Sequence, residues 1–229
     1  MLEEFGSDLW VADGPTLIAA AGFHYPTRMA VIRLSGGDLF LWSPIAISDA
    51  LLAGVKELGR VRHLVAPNML HHTYLRDWQR AFPNASVYGP RGLSEKRKDV
   101  TFNSFLGESP APPAWSGQID LVAITNNRIT TEFVFFHRQS ETAIFTDLIQ
   151  HFEPGWFTGW RALVARLDLM VASEPSVPRK FRIAFADRAA AREALKRILA
   201  WPTKKVLFAH GDPVTEDAQA FLCRAFRWL

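Results

Sequence analysis

The segment Ala66-Pro67-Asn68-Met69-Leu70-His71-His72-Thr73 decides the fold that we expect for this chain. It follows an apolar run over residues 61–65 and precedes an amphipathic helical pattern that begins near Tyr74. A strand that passes through a loop into a helix places the loop side chains at the carboxyl edge of a sheet, where α/β proteins commonly bind ligands. The adjacent histidines His71 and His72 therefore stand at a predicted functional edge.

Two later segments repeat this arrangement. The apolar run over residues 142–146 leads into Asp147, and the run over residues 206–209 leads into His210-Gly211-Asp212. Three predicted strands thus each end on an imidazole or a carboxylate, the groups used for metal binding and acid–base chemistry. We predict that strands 61–65, 142–146 and 206–209 end at one edge and bring these groups together.

Composition predicts one large domain spanning residues 1–229. The chain is 48% hydrophobic and contains eight Trp and 17 Phe, enough for a substantial core. Its 26 Lys and Arg are interspersed with 23 Asp and Glu, which argues against a nucleic-acid partner, because such proteins concentrate basic residues in a patch. The single cysteine, Cys223, excludes an internal disulfide and a cysteine-rich zinc site.

The sequence also gives no reason to expect a membrane span or a signal peptide. No apolar run approaches the length of a membrane span, and the acidic start over residues 1–5 lacks the basic and apolar regions of a signal peptide. We therefore expect a cytoplasmic protein with no membrane partner.

The first half of the chain reads as β structure followed by helices. A strand at residues 8–12 is predicted to end at the turn signal Asp13-Gly14-Pro15, and a hairpin turn is predicted at residues 35–38. Ser48 is a predicted N-cap for a helix that stops at Gly59.

The second half repeats that order. Strands are predicted at residues 119–124, 129–136 and 142–146, followed by a helical pattern over 155–169 and by helices capped at Asp187 and Thr215. Residues 109–113 read as an extended connector between the halves. An order of β then α, twice over, fits an α/β fold of four layers, an αββα sandwich with two sheets face to face and helices outside.

These residues carry a resemblance to the metallo-β-lactamase superfamily. The segment around His71 and His72, the segment 145–148, and the strand that ends in His210-Gly211-Asp212 resemble its three main metal-binding stations, and residues 9–14 resemble its first strand. Within the superfamily the chain looks most like a bacterial branch classed as a domain of unknown function. The resemblance covers nearly the whole chain and implies the αββα fold.

The resemblance also implies a particular set of ligands. The signature His-x-His-x-Asp-His falls on residues 67–72, so both leading histidines are replaced, and residues 126–128 supply no third histidine. The first metal site of the superfamily is thus lost as a unit. The second site maps onto His71, His72, Asp147 and His210, a set that suits one divalent ion, zinc foremost or else iron or manganese.

Two functions remain open at this point. One is a mononuclear metallohydrolase acting on a small-molecule substrate, with His71 and Asp147 as catalytic candidates and His71 as a loose ligand or general base. The other is a catalytically degenerate member that binds a small molecule or a protein. The resemblance also implies that Arg128 stands near the lost first site, where its guanidinium would bind an anionic substrate, although a surface arginine is the simpler interpretation.

Simpler interpretations exist for the other candidates too. Asp147 could cap a turn, and His71 and His72 could be ordinary loop residues at a helix N-terminus. The remaining histidines, His24, His63, His137 and His151, are expected to be hydrogen-bonded polar residues. The substrate, the identity of the metal and the oligomeric state are left open by the sequence.

Overall fold

A computed structural model describes residues 1–108 and 114–229. The predicted connector over residues 109–113 lies outside the described residues. In the described part of the chain, no helix is long and apolar enough to span a membrane.

The first sheet contains seven strands that follow one another in sequence order. Its strands are β1 (Glu3–Gly6), β2 (Leu9–Ile18), β3 (His24–Arg33), β4 (Asp38–Trp42), β5 (Arg60–Val65), β6 (Ser86–Gly89) and β7 (Ser104–Phe105). Strands β3 and β4 form the predicted hairpin, whose turn needs Gly37 at φ 77°. From β4 onward the strands pair in parallel.

The predicted end of the first strand at residues 13–15 is wrong. β2 continues through Asp13-Gly14-Pro15 to Ile18. The Asp13 carboxylate accepts hydrogen bonds from Arg28 on β3 at 2.6 and 3.0 Å, so a cross-strand ion pair stands where the sequence suggested a turn.

Three helices accompany the parallel part of the first sheet: α1 (Asp49–Leu58), α2 (Leu75–Ala81) and α3 (Leu93–Lys96). The Ser48 hydroxyl accepts from the backbone N–H of Leu51, which confirms the predicted N-cap. Leu51 and Val55 of α1 and Trp78 of α2 are buried against Leu39, Leu41, Leu64 and other apolar residues of the sheet.

The second sheet contains β8 (Ile119–Ile124), β9 (Glu132–His137), β10 (Thr142–Gln150) and β11 (Lys205–His210), in the order β11-β10-β9-β8. Four helices belong to the same half: α4 (Trp160–Leu167), α5 (Arg179–Ala184), α6 (Arg188–Leu199) and α7 (Ala218–Ala225). Asp187 caps α6 as predicted, through its bond from the Ala190 N–H.

Two helix boundaries differ from the prediction. The helix expected from residue 155 begins only at Trp160, because Gly155 and Gly159 both take positive φ values. The last helix begins at Ala218 rather than after Thr215. Val214 exchanges two backbone hydrogen bonds with Val206 of β11, which keeps the chain extended up to the expected start.

The chain divides into two compact units that are interleaved in sequence. The first unit comprises Met1–Pro15, Arg28–Leu121 and His137–Ser140, and the second comprises Thr16–Thr27, Val122–Phe136 and Glu141–Leu229. The prediction of a single domain over residues 1–229 stays a prediction. The candidate residues His71 and His72 belong to the first unit, and Asp147 and His210 belong to the second.

Candidate metal centre

Asp147, inside β10, and His210, at the end of β11, meet in the second unit. β10 and β11 pair in parallel, and His210 is the last residue of β11. The Asp147 Oδ1 and the His210 Nε2 lie 3.2 Å apart, and both side chains are almost fully buried. The parallel pairing of the segments 142–146 and 206–209 brings these two groups together, but β10 runs past Asp147 to Gln150, so the predicted end of that strand at residue 146 is wrong. The third predicted strand, 61–65, is part of β5 and belongs to the other sheet.

A bulge in β10 turns Asp147 toward its neighbour. The register pairs Phe145 with Phe208 and then Gln150 with His210, so four residues of β10 lie opposite one residue of β11. Extra residues leave backbone groups without ladder partners and re-aim side chains, which is why bulges are common beside active sites.

Glu132 supplies the missing backbone partners. Its carboxylate accepts from the N–H groups of Thr146, Asp147 and Leu148 at 2.8, 2.8 and 3.0 Å. Burial, followed by the charge of Asp147, raises the pKa of Glu132 to about 8, against the lowering effect of these three donors. Glu132 is thus the group that holds the bulge and, with it, the backbone of Asp147.

Glu132 was not among the candidate residues that the sequence indicated. The available signal was a lone carboxylate inside the apolar stretch 129–136. A fully buried carboxylate is unfavourable without hydrogen-bond donors, so donors for this side chain were to be expected. The partner lies 14 to 16 residues further along the chain, and the pattern alone did not identify it.

A backbone carbonyl selects the tautomer of His210. The Nδ1 atom lies 2.9 Å from the Pro26 carbonyl oxygen, which can only accept, so Nδ1 carries the proton. In the neutral ring, Nε2 then presents its lone pair toward Asp147 Oδ1. Orientation of a ligand imidazole by a hydrogen bond to its other nitrogen is typical of metal sites in proteins.

With His210 neutral, its Nε2 atom and the Asp147 Oδ1 atom are both hydrogen-bond acceptors, and they face each other. Either a second proton on His210 or a cation between the atoms removes the repulsion between the Asp147 oxygen and the Nε2 lone pair. Two ligands that each lie 2.0–2.1 Å from a tetrahedral zinc are about 3.3 Å apart. The observed separation of 3.2 Å therefore fits a shared divalent ion.

Aromatic side chains enclose the His210 ring. The ring centroid of Tyr25 lies 5.1 Å from that of His210, and Phe152 stacks on the same ring at 6.2 Å. Burial raises the pKa of Tyr25, with smaller contributions from Asp147 and Asp168. Low polarity around the pair strengthens electrostatic interactions within it.

The close packing behind His210 depends on Gly211. The residue has φ 128°, and a Cβ atom there would lie 2.2 Å from the carbonyl oxygen of His151. Glycine is the residue that combines this φ with so close an approach. Gly211 therefore has a specific packing role directly after His210.

In the first unit, Asn68 orders the loop that carries His71. Asn68 is fully buried, and its Oδ1 accepts from the N–H groups of Leu70 and His71 at 2.8 and 2.9 Å. This is a local turn stabilised by an Asn side chain. The His71 Nδ1 lies 2.9 Å from the Ser43 Oγ, and the ring stacks on Trp42.

His72 has a different environment from His71. Its Nδ1 lies 2.9 Å from a guanidinium nitrogen of Arg97, so this nitrogen accepts and cannot also bind a metal through the same lone pair. Burial, then the charges of Lys96 and Arg97, lowers the pKa of His72 to about 4. A cationic surrounding of this kind does not favour a divalent ion.

The other candidates have well-defined positions. Arg128 is exposed in the second unit, and its backbone N–H donates to the Ala184 carbonyl. The four remaining histidines are hydrogen-bonded as expected: His24 to Trp156 O, His63 to Tyr88 Oη, His137 to Ser140 Oγ and His151 to Ala172 O.

Comparison with known proteins yields one family and a common fold. The family model described as a domain of unknown function (DUF4336) matches residues 8–158. A metallo-β-lactamase from Pontibacter korlensis superposes with a TM-score of 0.64 at 12% identity, covering 99% of this chain and 98% of the other. No curated protein sequence matches the chain.

Two further structures agree. A metallo-β-lactamase from Hirschia baltica superposes with a TM-score of 0.65 at 12% identity, covering 98% of this chain and 96% of the other. One from Pseudomonas aeruginosa, described in its mono-zinc form, gives 0.59 at 11% identity and covers 98% and 93%. Identities this low show the fold alone, and the predicted metallo-β-lactamase fold class is confirmed.

Proposed function

The chain belongs to the DUF4336 family, and we propose that it is a mononuclear metallohydrolase that binds one divalent ion through Asp147 and His210, with His71 as a third ligand. The set offers one carboxylate and two imidazoles, which suit zinc, iron or manganese. The proposal includes that the substrate is a small molecule and that the ion is one of these three metals.

The close approach of the Asp147 Oδ1 and the His210 Nε2 carries the proposal. The Pro26 carbonyl fixes the Nδ1 side of the His210 ring, and the backbone N–H groups of the bulge donate to Glu132, which holds the backbone of Asp147. These contacts support preorganisation of the pair for an ion. An ion held there would supply Lewis-acid polarisation of a carbonyl or phosphoryl oxygen and would acidify water.

His71 completes the proposed set, and His72 does not. The Asn68 turn and the Ser43 hydroxyl hold the backbone and Nδ1 of His71, whereas Arg97 engages His72. His71 serves either as a ligand or as a general base, and three protein ligands would leave a position for substrate. We also propose that Arg128 contacts an anionic group of the substrate.

The altered first station supports a single ion. Asn68 is occupied by its backbone hydrogen bonds, and Pro67 and Met69 have no donor atoms suited to a hard or borderline ion. The Pseudomonas aeruginosa relative in mono-zinc form shows that this fold accommodates one zinc. A binding module without catalysis is the competing function, and it predicts no metal-dependent turnover.

Metal analysis of the purified protein tests the proposal. We expect about one equivalent of divalent ion after reconstitution at neutral pH. His210→Ala and Asp147→Asn should abolish binding, while His72→Ala, the matched neighbour of His71, should retain it. Clearly less than one equivalent in the wild type, or full binding by His210→Ala, would contradict the site.

Turnover is tested separately, with chromogenic carboxylic and phosphoric esters and a chromogenic cephalosporin as substrates. The wild type should hydrolyse at least one of these classes only when metal is bound. If His71 is a ligand, His71→Ala should weaken metal affinity; if it is a general base, the rate should fall with affinity unchanged. A metal-loaded protein that hydrolyses none of them would favour the binding module.

A further inference from the structure

Helix α4 buries its small side chains and exposes its large apolar ones. Ala165 is buried and Ala162 packs partly buried with it, against a cluster that includes Phe152, Phe157 and Met170. Trp160, Leu163, Val164 and Leu167 are 54%, 61%, 40% and 56% exposed. Their spacing of three and four residues puts them on one face of the helix.

A second exposed apolar segment adjoins the start of this helix. Ile18 is 82% exposed, and the three alanines that follow it are exposed as well. The Arg161 Nε donates to the Ala21 carbonyl at 2.8 Å, and the Phe23 ring contacts Trp160 at 5.7 Å. We call residues 18–21 and the exposed face of α4 the apolar patch.

The patch lies within a cationic stretch of sequence. Residues 160–183 contain five Lys and Arg against two acidic residues, Asp168 and Glu174. Arg161 lies over the Trp160 ring at 4.8 Å, and Arg166 is exposed on α4 itself. Exposed large apolar side chains flanked by basic ones, with a tryptophan among them, are typical of helices that lie in a membrane interface.

We propose that the apolar patch docks on the surface of a bilayer that contains anionic lipids, with α4 lying in the plane of the interface. A two-fold contact with a second copy would bring Arg161 and Arg166, which flank the patch, toward their equivalents in the other copy. The exposed apolar side chains and the flanking arginines match the apolar interior and the anionic headgroups of such a bilayer. The expectation of no membrane partner rested on the absence of a spanning segment, and docking on a surface needs none.

Vesicle flotation tests the proposal. The probes are vesicles of phosphatidylcholine alone and of phosphatidylcholine with phosphatidylglycerol, each at low and high salt. The wild type should float with the anionic vesicles, and high salt should weaken the association. The double variant Leu163→Gln/Leu167→Gln should lose roughly tenfold or more in affinity, since it removes two inserting side chains.

Charge variants and a measurement of the oligomeric state in solution complete the test. Arg166→Glu should also weaken binding, whereas Lys56→Glu, the same charge change on α1, should not. Circular dichroism and thermal unfolding check that each variant is folded. No flotation of the wild type, or equal flotation of the folded double variant, overturns the proposal. A wild-type dimer in analytical ultracentrifugation that the double variant dissociates would assign the patch to a second copy instead.

Discussion

At the scale of single residues, Glu132 positions a proposed ligand without being one itself. It lies inside the second sheet, is fully buried, and accepts three backbone N–H groups of the β10 bulge. The position of Asp147 therefore depends on a residue that would not itself touch the ion. Buried carboxylates without such donors are strongly unfavourable, so the two features stabilise each other.

Glu132→Gln should destabilise the protein by about 1–3 kcal/mol, because the amide nitrogen cannot accept a backbone N–H. Even a protonated carboxyl keeps acceptor capacity on both oxygens, so the loss is expected on either side of the pKa. Urea unfolding measures the change. Glu193→Gln on the exposed face of α6 is the matched control and should stay within about 0.5 kcal/mol of the wild type. Equal stability of both variants would show that the bulge does not need Glu132.

His137 should make the protein sensitive to acid. Burial lowers the pKa of this side chain from 6.5 to about 4. The unfolded chain then binds a proton at a higher pH than the native chain does, so stability is lost as pH falls from 6.5 toward 4. The loss amounts to as much as about 3 kcal/mol for a shift of this size.

His137→Gln removes this titration and should flatten the pH dependence over that interval. Unfolding free energies at several pH values between 4 and 7 provide the measurement, with slopes compared rather than absolute stabilities. His63 and His72, whose pKa values burial also lowers, keep part of the slope in the variant. An unchanged slope would mean that His137 does not titrate as its burial implies.

At the scale of elements, two predicted helix caps differ in outcome and allow a direct comparison. The Ser48 hydroxyl accepts from the Leu51 N–H at the start of α1. Thr215 is exposed and precedes the start of α7 at Ala218, because Val214 is still paired with Val206. Local chemistry predicted both caps equally well, and the pairing with β11 excluded one of them.

Ser48→Ala should therefore lower the free energy of unfolding by about 1 kcal/mol, since an orphan N–H of the first turn loses its acceptor. Thr215→Ala is the matched control and should change stability by less than about 0.5 kcal/mol. Thermal or urea unfolding distinguishes the two. A larger effect at Thr215 than at Ser48 would contradict the boundary of α7.

At the scale of the whole molecule, metal binding should appear as added stability. A ligand that binds only the folded chain at 100 times its Kd contributes about 2.7 kcal/mol. For a chain of this size we expect zinc to raise the Tm by roughly 5–10 °C, and a chelator to reverse the shift. His210→Ala should show no shift with zinc. An equal shift in that variant would place the stabilising ion elsewhere.

The fold class and half of the candidate site could be predicted from the sequence. Apolar runs that lead into Asp147 and His210 predicted that these two residues meet, and the parallel pairing of β10 and β11 brings them together. The predicted strand end at Asp147 is wrong, because β10 passes through a bulge there and continues to Gln150. The order of β and α segments predicted a four-layer α/β fold, because local periodicity is written directly in the chain. The metallo-β-lactamase fold was implied by the resemblance of the histidine-bearing loop and the other stations to that superfamily.

Tertiary structure alone decided which groups are paired and which face solvent. Glu132 meets the β10 bulge, Pro26 selects the tautomer of His210, and Arg97 engages His72 instead of leaving it for an ion. The apolar face of α4 points outward because two alanines already fill the space beneath the helix. Each of these outcomes depends on partners distant in sequence, whose approach is set by packing and hydrogen-bond satisfaction rather than by local residue preference.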